Sequence, residues 1–363
     1  TSITCWIPKE DTEGVVDGAD ELRAYLGDWD NDIRNTPPKQ YERELAAYNK
    51  EVDGWNQRVD ELKKENPDIL MEEINEKAGL YPWPPPRGGA SQYRPFGLYE
   101  SMVSRVKPYG IRGFIYYQGE EDQDRPDSYS LLNKRLIHRW REDFSTEGFE
   151  EFPFIITQLP MFVEKGLENV KKFVHIREQQ AAVADSERAV GMAVLTDCGE
   201  YDNIHPTDKK TPGERLALQA LGRVYDRPVK YENMQVDKVV YEGSSAFISF
   251  RYTYNGIHIR RSSDGELTAK LKDSEVPVSE AVYKSDILGF ELSGDGKNFV
   301  PAKAYMEGDV LCLSADGIDE VKAVRYAYFD YGVANIYNAA GLPLRMFEDS
   351  QEIGGYHGLE KDL

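Results

Sequence analysis

The chain has 363 residues, of which 40% are hydrophobic and 30% are charged, as in ordinary globular proteins of one large domain or two. Its 64 acidic residues exceed its 44 basic residues and give a formal charge of −20. This excess excludes nucleic acid and anionic membranes as expected partners, because both require a basic surface. In addition, no apolar run approaches the ~20 residues that a membrane-spanning helix requires.

The residues that commonly bind metal ions are sparse. The three cysteines lie far apart in the sequence, and the five histidines form no closely spaced pair. Neither pattern matches the ligand spacing of zinc sites. We therefore expect no metal ion.

The first third of the chain contains predicted helices after a mixed start over residues 1–37. Residues 17–29 have weak helical character, and a heptad pattern begins after Pro38 and indicates a helix of about 25 residues. A second amphipathic segment, 68–77, ends before Gly79. We interpret residues 38–80 as an inserted helical hairpin that packs on its own domain; a lid or a partner-binding arm is the alternative. The residues of the heptad seam are Tyr41, Leu45, Tyr48, Val52, Trp55, Val59 and Leu62.

The middle of the chain alternates between strands and helices. This alternation predicts an α/β fold with a parallel sheet that is covered by helices on both faces. The predicted strands are 111–117, 152–159 and 190–195, and the predicted helices are 98–106, 128–144, 174–184 and 209–224.

Short alternating strands separated by Gly, Asp and Asn turns follow residue 224. They predict a C-terminal antiparallel β-sandwich domain. Asn255-Gly256 is typical of a β-hairpin turn between two of these strands. We therefore predict an α/β domain over residues 1–228 and a β-sandwich domain over residues 229–363. The predicted strands are 236–241, 246–254, 257–260, 287–292, 310–313 and 323–328.

Two polar loops follow strands of the predicted parallel sheet. One contains Gln118, Gly119 and Glu120, and the other contains Asp202 and His205. Ligands of such sheets bind at the carboxyl ends of the strands, where both loops lie. An aspartate three residues before a histidine can accept a hydrogen bond from one imidazole nitrogen and leave the other as a general base. By itself this spacing is also typical of a helix cap or a surface contact.

These loops belong to a set of motifs that resembles the sialate O-acetylesterase family, carbohydrate esterases of the SGNH-hydrolase superfamily. The resemblance extends from about residue 98 onward, and the heptad segment lies outside it. The motifs are Tyr116-Tyr117-Gln118-Gly119-Glu120, Arg177-Glu178-Gln179-Gln180, Asp197-x-Gly199-Glu200 with Ile204-His205-Pro206, Gly213-Glu214-Arg215, Arg325-Tyr326-Ala327-Tyr328 and Asn335-Ile336-Tyr337-Asn338.

The resemblance implies a fold and a role for each site residue. It implies a three-layer sandwich of the SGNH type that hydrolyses acetyl esters on sugars without a cofactor. His205 is expected to activate a serine, and Asp202 is expected to orient and stabilise the imidazole. The Gln118 amide is expected to donate to the oxyanion, with Gly119 and Glu120 completing and bracing that loop.

One departure from the family pattern concerns the nucleophile. The family serine is expected in a Ser-x-Gly-Gly segment just ahead of a Trp, and Thr1–Trp6 resembles the residues that follow that segment. We therefore expect the serine upstream of this chain, on an N-terminal fragment of the same protein, and assign no nucleophilic role to Ser2. Thr1 as an N-terminal nucleophile is an alternative, which the alternation of strands and helices does not support.

These observations predict a carbohydrate O-acetylesterase that uses Ser-His-Asp chemistry. Its expected substrate is an O-acetylated carbohydrate, either sialic acid or a polysaccharide, and its expected location is the periplasm or the cell exterior. The alternative is a non-catalytic glycan-binding protein that keeps the esterase scaffold. A Ser-x-Gly-Gly segment encoded upstream of Thr1 would favour the enzyme.

Overall fold

The computed structural model describes residues 1–145, 151–167, 170–261, 274–277 and 287–351. Contacts divide the chain into two compact units. The first comprises Thr1–Arg112, Gln118–Phe152 and Glu164–Gly166, and the second comprises Gly113–Tyr117, Pro153–Val163 and Leu167–Leu363. Among the described helices, none is both long and apolar enough to cross a bilayer.

The first unit is helical. A 3-10 turn at Ile3–Trp6 precedes the first helix, a π-helical turn at Tyr99–Val103 precedes α5, and a 3-10 turn at Glu120–Asp122 precedes α6. The helices are α1 (Lys9–Val16), α2 (Asp20–Asn35), α3 (Pro38–Glu65), α4 (Met71–Ala78), α5 (Ser104–Val106) and α6 (Pro126–Phe144).

Helices α3 and α4 occupy the region of the predicted helical hairpin, and its status as an insertion over residues 38–80 stays a prediction. Trp55 and Val59 of α3 pack with Ile74 and Ala78 of α4 in a small buried cluster. The Trp55 indole N–H donates to the carbonyl oxygen of Gly79 at 2.7 Å. A side chain of α3 therefore satisfies a carbonyl at the end of α4 that no backbone donor of that helix reaches.

The second unit begins with a parallel sheet. Its strands are β1 (Phe114–Tyr116), β2 (Phe154–Gln158) and β3 (Val190–Val194), in the order β1-β2-β3. Both strand pairs are parallel, as the alternation predicts. Helices α7 (Lys172–Ser186) and α8 (Lys210–Arg223) belong to the same unit. Leu216 of α8 packs against Ile155 and Ala193, so α8 covers the sheet face that bears these two residues.

The other strands in the described part of this unit are antiparallel. They form three sheets, in the orders β10-β11-β5-β4, β14-β12-β8-β9 and β13-β6-β7. Alternate residues from these sheets, such as Ile248, Leu311, Leu292 and Val324, share one hydrophobic cluster. The strands are β4 (Gln235–Glu242), β5 (Ser245–Arg251), β6 (Ile257–Arg261), β7 (Ser274–Pro277), β8 (Phe290–Ser293), β9 (Phe299–Pro301), β10 (Lys303–Glu307), β11 (Val310–Ser314), β12 (Ala323–Tyr326), β13 (Ile336–Asn338) and β14 (Phe347–Ser350).

The hairpin predicted at Asn255-Gly256 is wrong. The chain does turn there, with a left-handed φ of +70° at Asn255, but the flanking strands do not pair. β5 pairs with β4 and β11, whereas β6 pairs with β13 and β7. The Asn338 side-chain amide donates to the Tyr252 carbonyl oxygen at 2.9 Å, so a residue distant in sequence holds the segment where the chain passes between sheets.

Helix α7 is tied at both ends to the C-terminal strand region. At its start, the Asp330 carboxylate accepts from the backbone N–H groups of Lys172 and Val174, at 2.8 and 2.7 Å. At its end, Arg345 donates to Asp185 at 2.8 Å. The predicted domain boundary at residues 228 and 229 stays a prediction, but these contacts link structure formed by residues on both sides of it.

Candidate active site

The loop after β3 carries Asp202 and His205, as the sequence predicts. All five residues of β3 are buried, and α8 begins at Lys210. Only 7% of the Asp202 surface is exposed, whereas His205 is exposed. A buried carboxylate therefore lies three residues before an accessible imidazole, at the carboxyl end of a parallel strand.

The first half of this loop is fixed against the segment that follows β2. A Cβ on Gly199 would lie 1.7 Å from the Met161 carbonyl oxygen, so only glycine allows this close approach. The Asp202 backbone N–H donates to the Val163 carbonyl oxygen at 3.0 Å. Asp202 itself has a left-handed φ of +54°, a conformation that Asp and Asn adopt more readily than most other residues.

The second half of the loop is held by Glu200 and Asn203. The Asn203 amide donates to one Glu200 carboxylate oxygen at 2.5 Å, and the Thr207 backbone N–H donates to the other at 2.7 Å. The Asn203 side-chain oxygen then accepts from the His205 backbone N–H at 3.0 Å. Glu200 and Asn203 therefore fix the backbone of His205 and leave its side chain accessible. We did not assign them this role from sequence.

A buried charge cluster lies at the start of the same loop. Asp197 and Arg215 have side chains that are 4% and 5% exposed, and Arg215 also donates to the Val194 carbonyl oxygen at 2.7 Å. Tyr337 donates to Asp197 at 3.1 Å, and Arg260 donates to it at 3.4 Å. The cluster therefore joins the end of β3, α8 and two strands of one antiparallel sheet.

The electrostatics of this cluster favour a charged Asp197. Burial is the largest influence and raises the pKa of Asp197, but the charge and hydrogen bonds of Arg215, together with Arg260 and Tyr337, outweigh it and lower the pKa to about 2. The carboxylate therefore stays ionised at neutral pH.

Gln118 follows β1 and takes part in a buried polar network. Its side-chain N–H groups donate to Asp122 at 2.5 Å and to the Thr1 carbonyl oxygen at 3.0 Å. The Tyr129 hydroxyl donates to the Gln118 backbone carbonyl at 3.0 Å. Because an amide nitrogen carries only two hydrogens, Gln118 must release one of these partners or share it in order to donate to an oxyanion.

Asp122 is the centre of that network. Its side chain is 2% exposed, and it accepts from Ser2 Oγ at 2.6 Å and from the Ile3 backbone N–H at 2.8 Å. Arg125 supplies a charged donor at 3.2 Å. Ser2 is therefore engaged as a donor to a carboxylate. Sequence motifs singled out Gln118 but not Asp122, which has no feature of its own apart from its acidic neighbours.

The predicted site residues fall into both compact units. Gln118, Gly119 and Glu120 belong to the first, and Asp202 and His205 belong to the second. The convergence of the two loops on one site stays a prediction. Within the described part of the chain, no three His, Cys, Asp or Glu residues are grouped as metal ligands would be.

Comparison with known proteins finds similarity to one family. Residues 83–221, which include both loops, match the sequence model described as carbohydrate esterase, sialic acid-specific acetylesterase. Mouse sialate O-acetylesterase is 26% identical over 172 residues, and the human protein is 26% identical over 184 residues. This segment of the chain resembles the sialate O-acetylesterase family.

The similarity to these family members is partial. The mouse match covers 43% of this chain and 31% of the mouse protein, and the human match covers 46% and 34%. The matched segment therefore spans about a third of the length of the curated relatives. A crystal structure of a carbohydrate acetylesterase from Xanthomonas citri superposes with a TM-score of 0.59 and 25% identity, covering 72% of this chain and 56% of that one.

Proposed function

We propose that this chain is a member of the sialate O-acetylesterase family that hydrolyses O-acetyl esters on carbohydrates, with His205 as the general base. One observation carries the proposal. An exposed histidine follows a buried aspartate by three residues at the carboxyl end of β3, inside the segment that matches the family model. The sialic acid named by the relatives is the leading substrate, and an acetylated polysaccharide is the other.

The proposed chemistry uses a serine supplied from outside this sequence. Its Oγ attacks the acetyl carbonyl carbon while His205 takes the hydroxyl proton, and Asp202 stabilises the imidazolium that results. His205 then gives the proton to the departing sugar oxygen. Water, deprotonated by the same imidazole, attacks the acyl-serine ester. The imidazolium then returns the proton to the departing serine Oγ, which restores the serine and releases acetate.

Gln118 is proposed to stabilise the oxyanion of the tetrahedral intermediate. One N–H of its amide donates to the Thr1 carbonyl oxygen, a neutral acceptor that a negatively charged oxyanion can replace. The second N–H stays on Asp122 and holds the amide in place. One such donor typically lowers a barrier by ~3 kcal/mol.

The wider organisation follows the same proposal. The parallel sheet is proposed to be the centre of an SGNH-type three-layer catalytic domain within residues 1–228, followed by the β-sandwich domain. The expected periplasmic or secreted location follows from the substrate class and stays a prediction.

The test is His205→Ala in the protein together with its serine-bearing segment. We expect release of p-nitrophenol from p-nitrophenyl acetate to fall at least ~10³-fold, because removal of a triad member leaves only the catalysis that binding and the oxyanion hole provide. His138→Ala, at an exposed position of α6, is the matched control and should keep full activity. Undiminished turnover in His205→Ala, with an unchanged circular dichroism spectrum, rules out the proposed base.

A further inference from the structure

The first unit contains an open recess near its N-terminal turn that no part of the proposed chemistry uses. Among the residues that line it, Tyr25 and Trp29 come from α2. Trp83 and Arg87 come from the proline-rich segment 83–89, which follows the helical hairpin. Glu121, from the turn that follows Gln118, also lines it. The recess therefore lies beside the Gln118 loop and includes residues that precede the segment matched by the family.

Aromatic rings form much of the wall. Trp83 is 50% exposed. Such exposure is unusual, because tryptophan has the largest side chain and its burial removes a large apolar area from water. The Tyr93 ring meets it edge to face, with ring centroids 5.3 Å apart and planes at 90°. Contact with the Tyr93 ring therefore fixes the position of the exposed Trp83 indole.

Polar groups accompany these rings. The Arg87 guanidinium lies 4.8 Å from the centre of the Trp29 ring and donates to Asp32 at 3.3 Å. Burial raises the pKa of Glu121, which places a carboxyl group in a partly dehydrated position. The recess therefore offers both a cation and a carboxyl group beside its aromatic wall.

Trp29 supplies an unusual donor. The residue is 4% exposed, and its indole N–H has no hydrogen-bond acceptor within the described chain. Buried donors of folded proteins are rarely left unpaired, because desolvation without a partner is unfavourable. Trp29 is one of the residues that line the recess, so a molecule bound there is a candidate for the missing acceptor.

We propose that this recess binds a pyranose ring of the acetylated carbohydrate. A pyranose presents an apolar C–H surface that stacks on an indole, and its edge carries hydroxyl groups that pair with guanidinium, carboxyl and indole N–H groups. A polyanionic ligand such as a nucleotide fits less well, because the recess contains Glu121 and the whole chain carries a charge of −20. The identity of the sugar rests on the proposed function, whereas the binding of a pyranose rests on the residues of the recess alone.

The test measures binding without turnover. The 363-residue chain is titrated with the methyl α-glycoside of N-acetylneuraminic acid and, separately, with methyl β-D-xylopyranoside, and saturation-transfer NMR reports contact with the sugar C–H protons. We expect saturation transfer to at least one sugar, and a rise of about tenfold in its Kd for Trp83→Ala, the equivalent of about 1.4 kcal/mol. Tyr109→Ala is the matched control, because Tyr109 is 73% exposed and does not line the recess.

Arg87→Gln distinguishes the two sugars. It should weaken binding of the sialic acid glycoside, which carries a carboxylate, more than binding of the neutral xyloside. Saturation transfer to neither sugar, or an unchanged Kd in Trp83→Ala, overturns the proposed subsite. If sugar binding depends on Trp83 while the protein with its serine segment releases no acetate, the subsite stands and the esterase proposal fails.

Discussion

Arg215 holds Asp197 through two parallel hydrogen bonds, one from each terminal guanidinium nitrogen; the bond from Nη2 to Oδ2 is 2.7 Å long. This geometry matches the planar fork of a guanidinium to a carboxylate. Asp197 lies three residues after Val194, the buried end of β3, in the loop that leads to His205. The pair therefore fixes the base of the loop on which the proposed chemistry depends.

Asp197→Asn should destabilise the protein by about 3–5 kcal/mol at neutral pH, because it leaves the buried charge of Arg215 without a counter-charge. The lowered pKa of Asp197, about 2, sets the sign of the pH dependence. The stabilisation is complete above about pH 4 and is lost as the pH falls toward 2.

Urea unfolding followed by circular dichroism checks this prediction. The difference in free energy of unfolding between the wild type and Asp197→Asn should shrink by about 2 kcal/mol between pH 6 and pH 2. A difference that stays constant over this range would show that the carboxylate does not stabilise the fold through its charge.

Gly199→Ala should displace the loop. The added Cβ would lie 1.7 Å from the Met161 carbonyl oxygen, so the backbone must move, at a cost of about 1–3 kcal/mol. Thermal unfolding should show a lower Tm. Gly213→Ala in α8 is the matched control: its Cβ meets nothing within 4 Å, and alanine favours the helix by ~1 kcal/mol, so its Tm should not fall. Equal effects of the two substitutions would contradict the argument.

Asp202→Asn should remove catalysis without unfolding the protein. Asparagine tolerates the left-handed φ of +54° at this position but cannot stabilise an imidazolium. In the protein with its serine segment, we expect kcat for p-nitrophenyl acetate to fall by about 10³–10⁴-fold. Asp226→Asn is the matched control, because Asp226 has a similar left-handed φ of +48° and lies at an exposed position. It should keep full activity. Loss of activity in both variants, or in neither, would contradict the assignment of Asp202.

Ile74→Ala should loosen the helical hairpin. Ile74 is 1% exposed and packs on Trp55 and Val59, and such truncations cost about 2–5 kcal/mol. Hydrogen exchange of backbone amides in α3 and α4 should accelerate, and exchange in β2 and β3 should change little. Leu70→Ala, at a position 59% exposed, is the control. A uniform acceleration would show that the hairpin unfolds only together with the rest of the protein.

Periodic and strand-end features were predictable from sequence because they depend on neighbouring residues. The heptad seam from Tyr41 to Leu62 predicted α3, and three apolar runs predicted the parallel strands. The loop positions of Gln118 and His205 followed from those strands. Because these signals are local, they predict the type of an element better than its ends. The helix predicted over residues 17–29, for example, is α2, which continues to Asn35.

Features that join distant residues were not predictable in this way. Tyr337 and Asp197 are 140 positions apart, and no spacing rule connects them. The Asn255-Gly256 turn had the composition of a hairpin, but pairing of β6 with β13 decided its geometry. The Gln118 amide was assigned from a motif, and its engagement with Asp122 became visible only when the chain was folded.

The anchoring of α7 has a consequence for biosynthesis. The Asp330 side chain that caps the start of α7 is 158 residues downstream of Lys172. At translation rates of ~5–20 residues per second, those residues take on the order of ten seconds or more to be made. Until then the start of α7 lacks this cap. A ribosome-bound chain that ends before Asp330 should therefore remain sensitive to protease.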